Sequence, residues 1–218
     1  MASVFCYIPN LIGYLRLILL LVAWIFFDKI VVFLPLYIVS ALLDCVDGIV
    51  ARRLKQTSEF GAWLDVLIDN IGRSIIWARL PYSWGVFVLC VEWSVFVCTH
   101  TSGHAWKNSF GSAPWWVKSV MENGFYSVMG LITISGLHGL PPYLYFYNHV
   151  QLHPELFPQI FQTLHPLLVL PVVALGAGRL LCMAVEVWCI REHALHLAHR
   201  EVDNQVNSLT KELDKTDS

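Results

Sequence analysis

Charge is what this chain has least of. Of its 218 residues only 14% are Asp, Glu, Lys or Arg, while 56% are hydrophobic; soluble domains carry about 25% charged residues. The shortfall excludes an ordinary water-soluble globule and points to a chain embedded in lipid. A net charge of -2 supplies no electrostatic reason to expect nucleic acid as a partner. CxxC pairs are also missing. Cys6, Cys45, Cys90, Cys98, Cys182 and Cys189 are scattered, mostly inside apolar runs, so they read as buried free thiols and not as a disulfide framework or zinc site. The N-terminus has neither a basic stretch nor a small-residue cleavage site ahead of its apolar run. That run is therefore expected to be a retained span, not a cleaved signal peptide. No internal repeat or low-complexity tract is present.

What is there is a succession of apolar runs. Six are expected to cross the membrane, each near the roughly 20 residues a bilayer requires: about 11–27, 30 into the forties, 61–80, 84–99, 115–137 and 167–190. The expected fold class is all-α integral membrane, a bundle of about six transmembrane helices formed by residues 1–190. Residues 191–218 are polar and are expected to form a cytoplasmic tail, amphipathic at first and then disordered. Arg52, Arg53 and Lys55 lie between spans two and three, Lys107 between four and five, and Arg191 and Arg200 after span six. Residues 140–166 hold no Lys or Arg. The positive-inside rule then puts both termini and the second connection in the cytoplasm. His193, His196 and His199 recur at i,i+3 but read as an ordinary helix face. Arg179 and Glu186, two turns apart, share a face without being direct neighbours and are expected to satisfy adjoining helices.

Against this background the stretch 44–69, DCVDGIVARRLKQTSEFGAWLDVLID, is out of place. Asp44 and Asp47 close one apolar run, and Asp65 and Asp69 open the next. The i,i+3 and i,i+4 spacings put each pair on one helix face, with Gly61 one turn before Asp65. Carboxylates inside a membrane face a cavity, a partner or an ion, because hydrocarbon does not solvate them. Four cannot neutralise one another and need cations, and hard oxygen donors suit Mg2+ or Mn2+. Internal salt bridging is the structural alternative, with Arg16, Arg52 and Arg73 as available partners. Gly48 and Gly61 leave room for a ligand, and Arg52, one turn after Gly48, offers a guanidinium suited to phosphate. These parts suit a metal-bound pyrophosphate during phosphoryl transfer.

The pattern Asp44-x2-Asp47-Gly48-x2-Ala51-Arg52-x8-Gly61-x3-Asp65-x3-Asp69 resembles the signature of the class I CDP-alcohol phosphatidyltransferases. The opening Pro9-Asn10-Leu11-Ile12-Gly13-Tyr14-Leu15-Arg16 and the text around the signature are similar to eukaryotic phosphatidylinositol synthases. The resemblance implies a two-metal site held by Asp44, Asp47, Asp65 and Asp69. Asp69 doubles as the catalytic base that deprotonates the acceptor alcohol. Gly48, Arg52, Ser58 and Gly61 would hold the CDP-linked lipid, with Asn10 and Arg16 bracing the nucleotide side. CDP-diacylglycerol or a related CDP-alcohol, a small alcohol acceptor, the lipid bilayer and a homodimer mate are the implied partners, and the endoplasmic reticulum is the implied compartment. The chain departs from the inositol synthases in its acceptor half. Asn70 follows the last aspartate where they carry Arg, and Glu122-Asn123-Gly124 stands where they carry Ser-Arg. Three readings stay open: an inositol-type phosphatidyltransferase, a relative using another acceptor or a CDP-head-group donor (with Glu122 meeting a cationic head group), and a non-catalytic relative.

Overall fold

In a computed structural model of the chain, residues 3–101, 113–158 and 165–216 are described, and they contain no strand. The long helices are α1 (Ile8–Ile25), α2 (Ile30–Arg53), α3 (Glu59–Trp77) and α4 (Trp84–Thr101). After a short α5 (Trp115–Met121) come α6 (Val128–Leu152) and α7 (Val169–Thr216). Pro9 in the first turn of α1 loses no hydrogen bond there. Arg52 and Arg53 close α2, where their charge complements the helix C-terminus. Lys55 turns the chain with φ 54°. Ser58 then caps α3, its hydroxyl accepting from Gly61 N at 3.0 Å.

The polarity is inverted relative to a soluble bundle. Val31, Ile25, Val173 and Leu180 face outward, whereas Asn10, Arg16, Asn70, Arg73, Glu92, Arg179 and Glu186 are buried. An apolar exterior around a polar interior is the arrangement of an integral membrane protein. Among the described residues three helices are long and apolar enough to cross a bilayer: α1, α2 and the 169–206 part of α7. α4 is a shorter apolar helix. Polar residues dilute α3 (Asp65, Asp69, Asn70, Arg73) and α6 (His138, Asn148, His149).

Two expected boundaries move. The fifth run, 115–137, is broken in two. α5 stops at Met121, Gly124 and Phe125 take φ of 68° and 71°, and Ser127 caps α6 by accepting from Gly130 N at 2.9 Å. The long helix therefore lies 13 residues later than where the sequence reading starts it, and it carries Pro141 and Pro142 inside it. Neighbouring helices in a membrane let such prolines persist. At the other end, α7 continues without a break past Ile190 to Thr216, 48 residues or about 72 Å. Lys107 and residues 159–164 of the Lys/Arg-free segment lie outside the described residues. All six cysteines are free, as expected, but Cys6, Cys45 and Cys90 are exposed on the bundle's exterior and not buried.

α1 packs along α2, and α6 along α7. The α6–α7 crossing is glycine against glycine. A Cβ on Gly178 would collide with Ile132 O and lie 3.2 Å from Gly136 Cα, and one on Gly136 would collide with the Gly178 and Arg179 backbone. Backbones meet there because nothing larger than hydrogen fits. The crossing also sets where Arg179 enters the interior. Gly178→Val is expected to cost about 2–3 kcal/mol through overpacking. Thermal unfolding in detergent should show a clear loss for it and little change for Gly176→Ala, whose Cβ would meet nothing within 4 Å.

Candidate functional site

Arg16 of α1 stands at the centre of the four aspartates. Its Nη1 donates to Asp47 Oδ2 at 2.9 Å and to Asp65 Oδ1 at 2.7 Å, and its Nη2 donates to Asp69 Oδ1 at 2.7 Å. Asp44 Oδ1 is 2.7 Å from the same Nη1, yet it is buried without a hydrogen bond. The reason is stoichiometric: Nη1 carries two hydrogens and faces three carboxylates. Of the three arginines that could have paired the aspartates, Arg16 does so, while Arg73 turns instead to Glu92 at 2.8 Å. Arg16 therefore braces the carboxylates more directly than a role on the nucleotide side would suggest.

Salt bridging is thus present but incomplete. One guanidinium balances one of four negative charges. The Asp44 and Asp65 side chains keep 37% and 44% of their surface open, whereas Arg16 keeps 2%. So the cluster is sealed behind by arginine and open in front. One oxygen each from Asp44, Asp47 and Asp65 lies within 4.8 Å of the others. A cation with bonds of about 2.1 Å holds opposing ligands about 4 Å apart, so slight closure suffices. A metal ion has no hydrogen count to limit it and can use the oxygen that Arg16 leaves unsatisfied. The donor set fits one. Asp69 stands apart from that trio while sharing Arg16.

Two cavities meet at this cluster. The first, about 180 Å³, brings together all five residues expected to hold the CDP-linked lipid: Asn10, Gly48, Arg52, Ser58 and Gly61, with Asp47 and Asp65. The glycines are there for space. A Cβ on Gly61 would lie 2.9 Å from Asn10 Oδ1, and one on Gly48 would lie 3.4 Å from Arg52 Nη1. Asn10 is fixed by donating to Val4 O at 2.7 Å. The second cavity, about 880 Å³, has Asp69, Asn70, Arg73, Glu92, His138 and Glu186 on its walls. Thr57, Ser58 and Ala62 line both. Asp69 belongs to the second cavity, and the other motif aspartates do not.

The family model described as CDP-alcohol phosphatidyltransferase matches residues 6–136. The chain belongs to the CDP-alcohol phosphatidyltransferase family. Divalent metal ions serve this family, and the Asp44–Asp47–Asp65 cluster could bind one. Among relatives, the CDP-diacylglycerol--inositol 3-phosphatidyltransferase of Drosophila melanogaster is 38% identical over 96 residues, 44% of this chain and 43% of that protein. The corresponding enzyme 1 of Arabidopsis thaliana is 44% identical over 75 residues, 34% of this chain and 33% of its own length. That of Homo sapiens is 32% identical over 105 residues, 45% and 47% respectively. Each match therefore spans less than half of the curated relative. No solved structure matches the chain.

Several site features are not read from the sequence. His138, on the second cavity's wall, carries no local signal. Arg179 and Glu186 prove to be direct partners, Nη1 to Oε2 at 2.8 Å, because the long guanidinium side chain reaches across the two turns between them. Glu122 is exposed and lines neither cavity, so it is not placed to meet a head group there. Among the described residues the aspartate trio is the only metal-type cluster, and His193, His196 and His199 form none.

Removing Arg16 tests the charge balance. Arg16→Met is expected to lower metal-free thermal stability and to enlarge the stabilisation by Mn2+ several-fold in a melting assay. Equal Mn2+ shifts in variant and wild type would show that Arg16 does not compensate the cluster.

Proposed function

We propose that this protein transfers a phosphatidyl group from CDP-diacylglycerol to a small alcohol, with inositol favoured, and releases CMP. The observation that carries the reading is the position of Asp69 between two sides of the site. It shares Arg16 with the aspartate trio and opens onto the larger cavity. The named relatives are inositol phosphatidyltransferases, and that supports the acceptor.

In this reading Asn10, Gly48, Arg52, Ser58 and Gly61 hold the nucleotide and pyrophosphate in the smaller cavity. Mg2+ or Mn2+ on the aspartates, two ions in all, would supply charge stabilisation at the phosphates. Asp69 accepts the proton of the acceptor hydroxyl as its oxygen bonds to the lipid-side phosphorus. The bond from that phosphorus to the bridging oxygen breaks, and CMP departs with that oxygen. Arg16 holds Asp69 Oδ1 in place, which orients the carboxylate for the transfer. The Lys/Arg distribution favours a site facing the cytoplasm. An endoplasmic reticulum location and a homodimer complete the proposal by resemblance.

A CDP-head-group donor is disfavoured, because Glu122 lies outside both cavities. A non-catalytic role is disfavoured by the intact aspartates.

Purified protein in detergent with Mn2+ and CDP-diacylglycerol should release CMP when inositol is added. Asp69→Asn should slow that release by about 10²–10⁴-fold, while the Asp44–Asp47–Asp65 trio still supports a Mn2+-induced thermal shift. Release with no acceptor among inositol, glycerol 3-phosphate and serine, or full activity in Asp69→Asn, would overturn the reading.

A further inference from the structure

Behind Asp69 the interior holds a second set of charges, separate from the aspartates. Arg73 Nε donates to Glu92 Oε2 at 2.8 Å, and Arg179 Nη2 donates to Glu92 Oε1 at 3.1 Å. Arg179 Nη1 donates to Glu186 Oε2 at 2.8 Å. Arg73 also donates to Asn70 Oδ1 and faces His138 Nδ1 at 3.5 Å. The ladder joins α3, α4 and α7, and it is neutral: two guanidinia and two carboxylates. Burying such a ladder is costly, and apolar replacements of similar size are often as stabilising, so a buried ladder is weak evidence of a purely stabilising role.

Its two ends are open where the middle is closed. Glu92 uses both oxygens. Glu186 has a hydrogen bond to Oε2 but none to Oε1 among the described residues, and Asn70 uses its oxygen but not its Nδ2. Neither of these atoms is buried without a partner, and both side chains line the large cavity with Asp69. That wall therefore offers one acceptor and one donor to the cavity that Asp69 also lines. A hydroxyl group both donates and accepts, so a molecule with several hydroxyls satisfies both at once. An anionic acceptor would be set against Asp69 and Glu186. A cationic one would find the ladder carboxylates already matched by arginine.

We propose that Asn70 and Glu186, held by the Arg73–Glu92–Arg179 ladder, orient an uncharged polyhydroxyl acceptor against Asp69 and select it. The inference rests on the phosphatidyl-transfer reading and deepens it. Glu186 lies beyond residues 6–136, the segment that the family model matches, so selection would come from a helix outside it. Arg179 acts as a positioning residue. The Gly136–Gly178 crossing places it, since Arg179 follows Gly178 directly.

The test uses the full chain in detergent with Mn2+ and follows CMP release over a range of inositol concentrations. Glu186→Gln is expected to raise the KM for inositol about tenfold or more, leaving the KM for CDP-diacylglycerol within about twofold. Asn70→Asp keeps an oxygen for Arg73, replaces the donor with an acceptor and adds a negative charge facing Arg73; it perturbs a different end of the ladder from the first variant. It should shift the same constant. An unchanged inositol KM in both variants, or an equal rise in both substrates' KM, overturns the proposal. Direct binding of labelled inositol without CDP-diacylglycerol separates the two readings. A wild type that binds inositol through Glu186 but releases no CMP would sink the transfer reading and keep the pocket. A wild type that neither binds nor turns over inositol would sink both.

Discussion

Four carboxylates share one guanidinium inside a membrane protein, and most of the interior follows from that imbalance. In a low dielectric, unbalanced charge is far more costly than in water. The bundle therefore places Arg16 behind the aspartates, leaves Asp44 and Asp65 open in front, and keeps a cavity there. A single nitrogen with two hydrogens cannot serve three oxygens, and the orphaned Asp44 Oδ1 records that arithmetic. The helices bearing these groups are held by ordinary apolar packing around Leu20, Phe33, Ile68 and Trp77. That packing supplies the rigidity against which the charges are aligned.

The rest of the interior solves the opposite problem. Arg73, Glu92, Arg179 and Glu186 are matched in number and direction, so that charge is present without net charge. The two networks line the same large cavity, Asp69 for the aspartates and Asn70, Arg73, Glu92 and Glu186 for the ladder. An excess of negative charge suits cations, and a balanced set of donors and acceptors suits hydroxyls. The division between the two halves of the site is thus a division of electrostatics.

The motif was legible because its chemistry is local. Asp44, Asp47, Gly61, Asp65 and Asp69 lie on two consecutive helices at spacings that fix their faces, and the five residues expected around the nucleotide do meet in one cavity. Helical class and inverted polarity were equally visible in the composition. What escaped was long-range or conformational. Nothing in the run 115–137 announces that Gly124 and Phe125 will take positive φ, and the prolines at 141–142 look like stops although α6 continues through them. The pairing of Glu92 with both Arg73 and Arg179 joins residues 87 positions apart at its widest, a distance that periodicity cannot bridge. The Arg179–Glu186 pair is hidden for a simpler reason: helix spacing counts Cβ positions and ignores side-chain reach.

Thr57, Ser58 and Ala62, at the entry to α3 and in its first turn, line both cavities. Ser58 is also the cap that starts the helix, bound to Gly61 N. A molecule in either cavity would therefore rest against the same three residues. Any coupling between occupants of the two cavities would be reciprocal, each altering the affinity of the other by an equal factor.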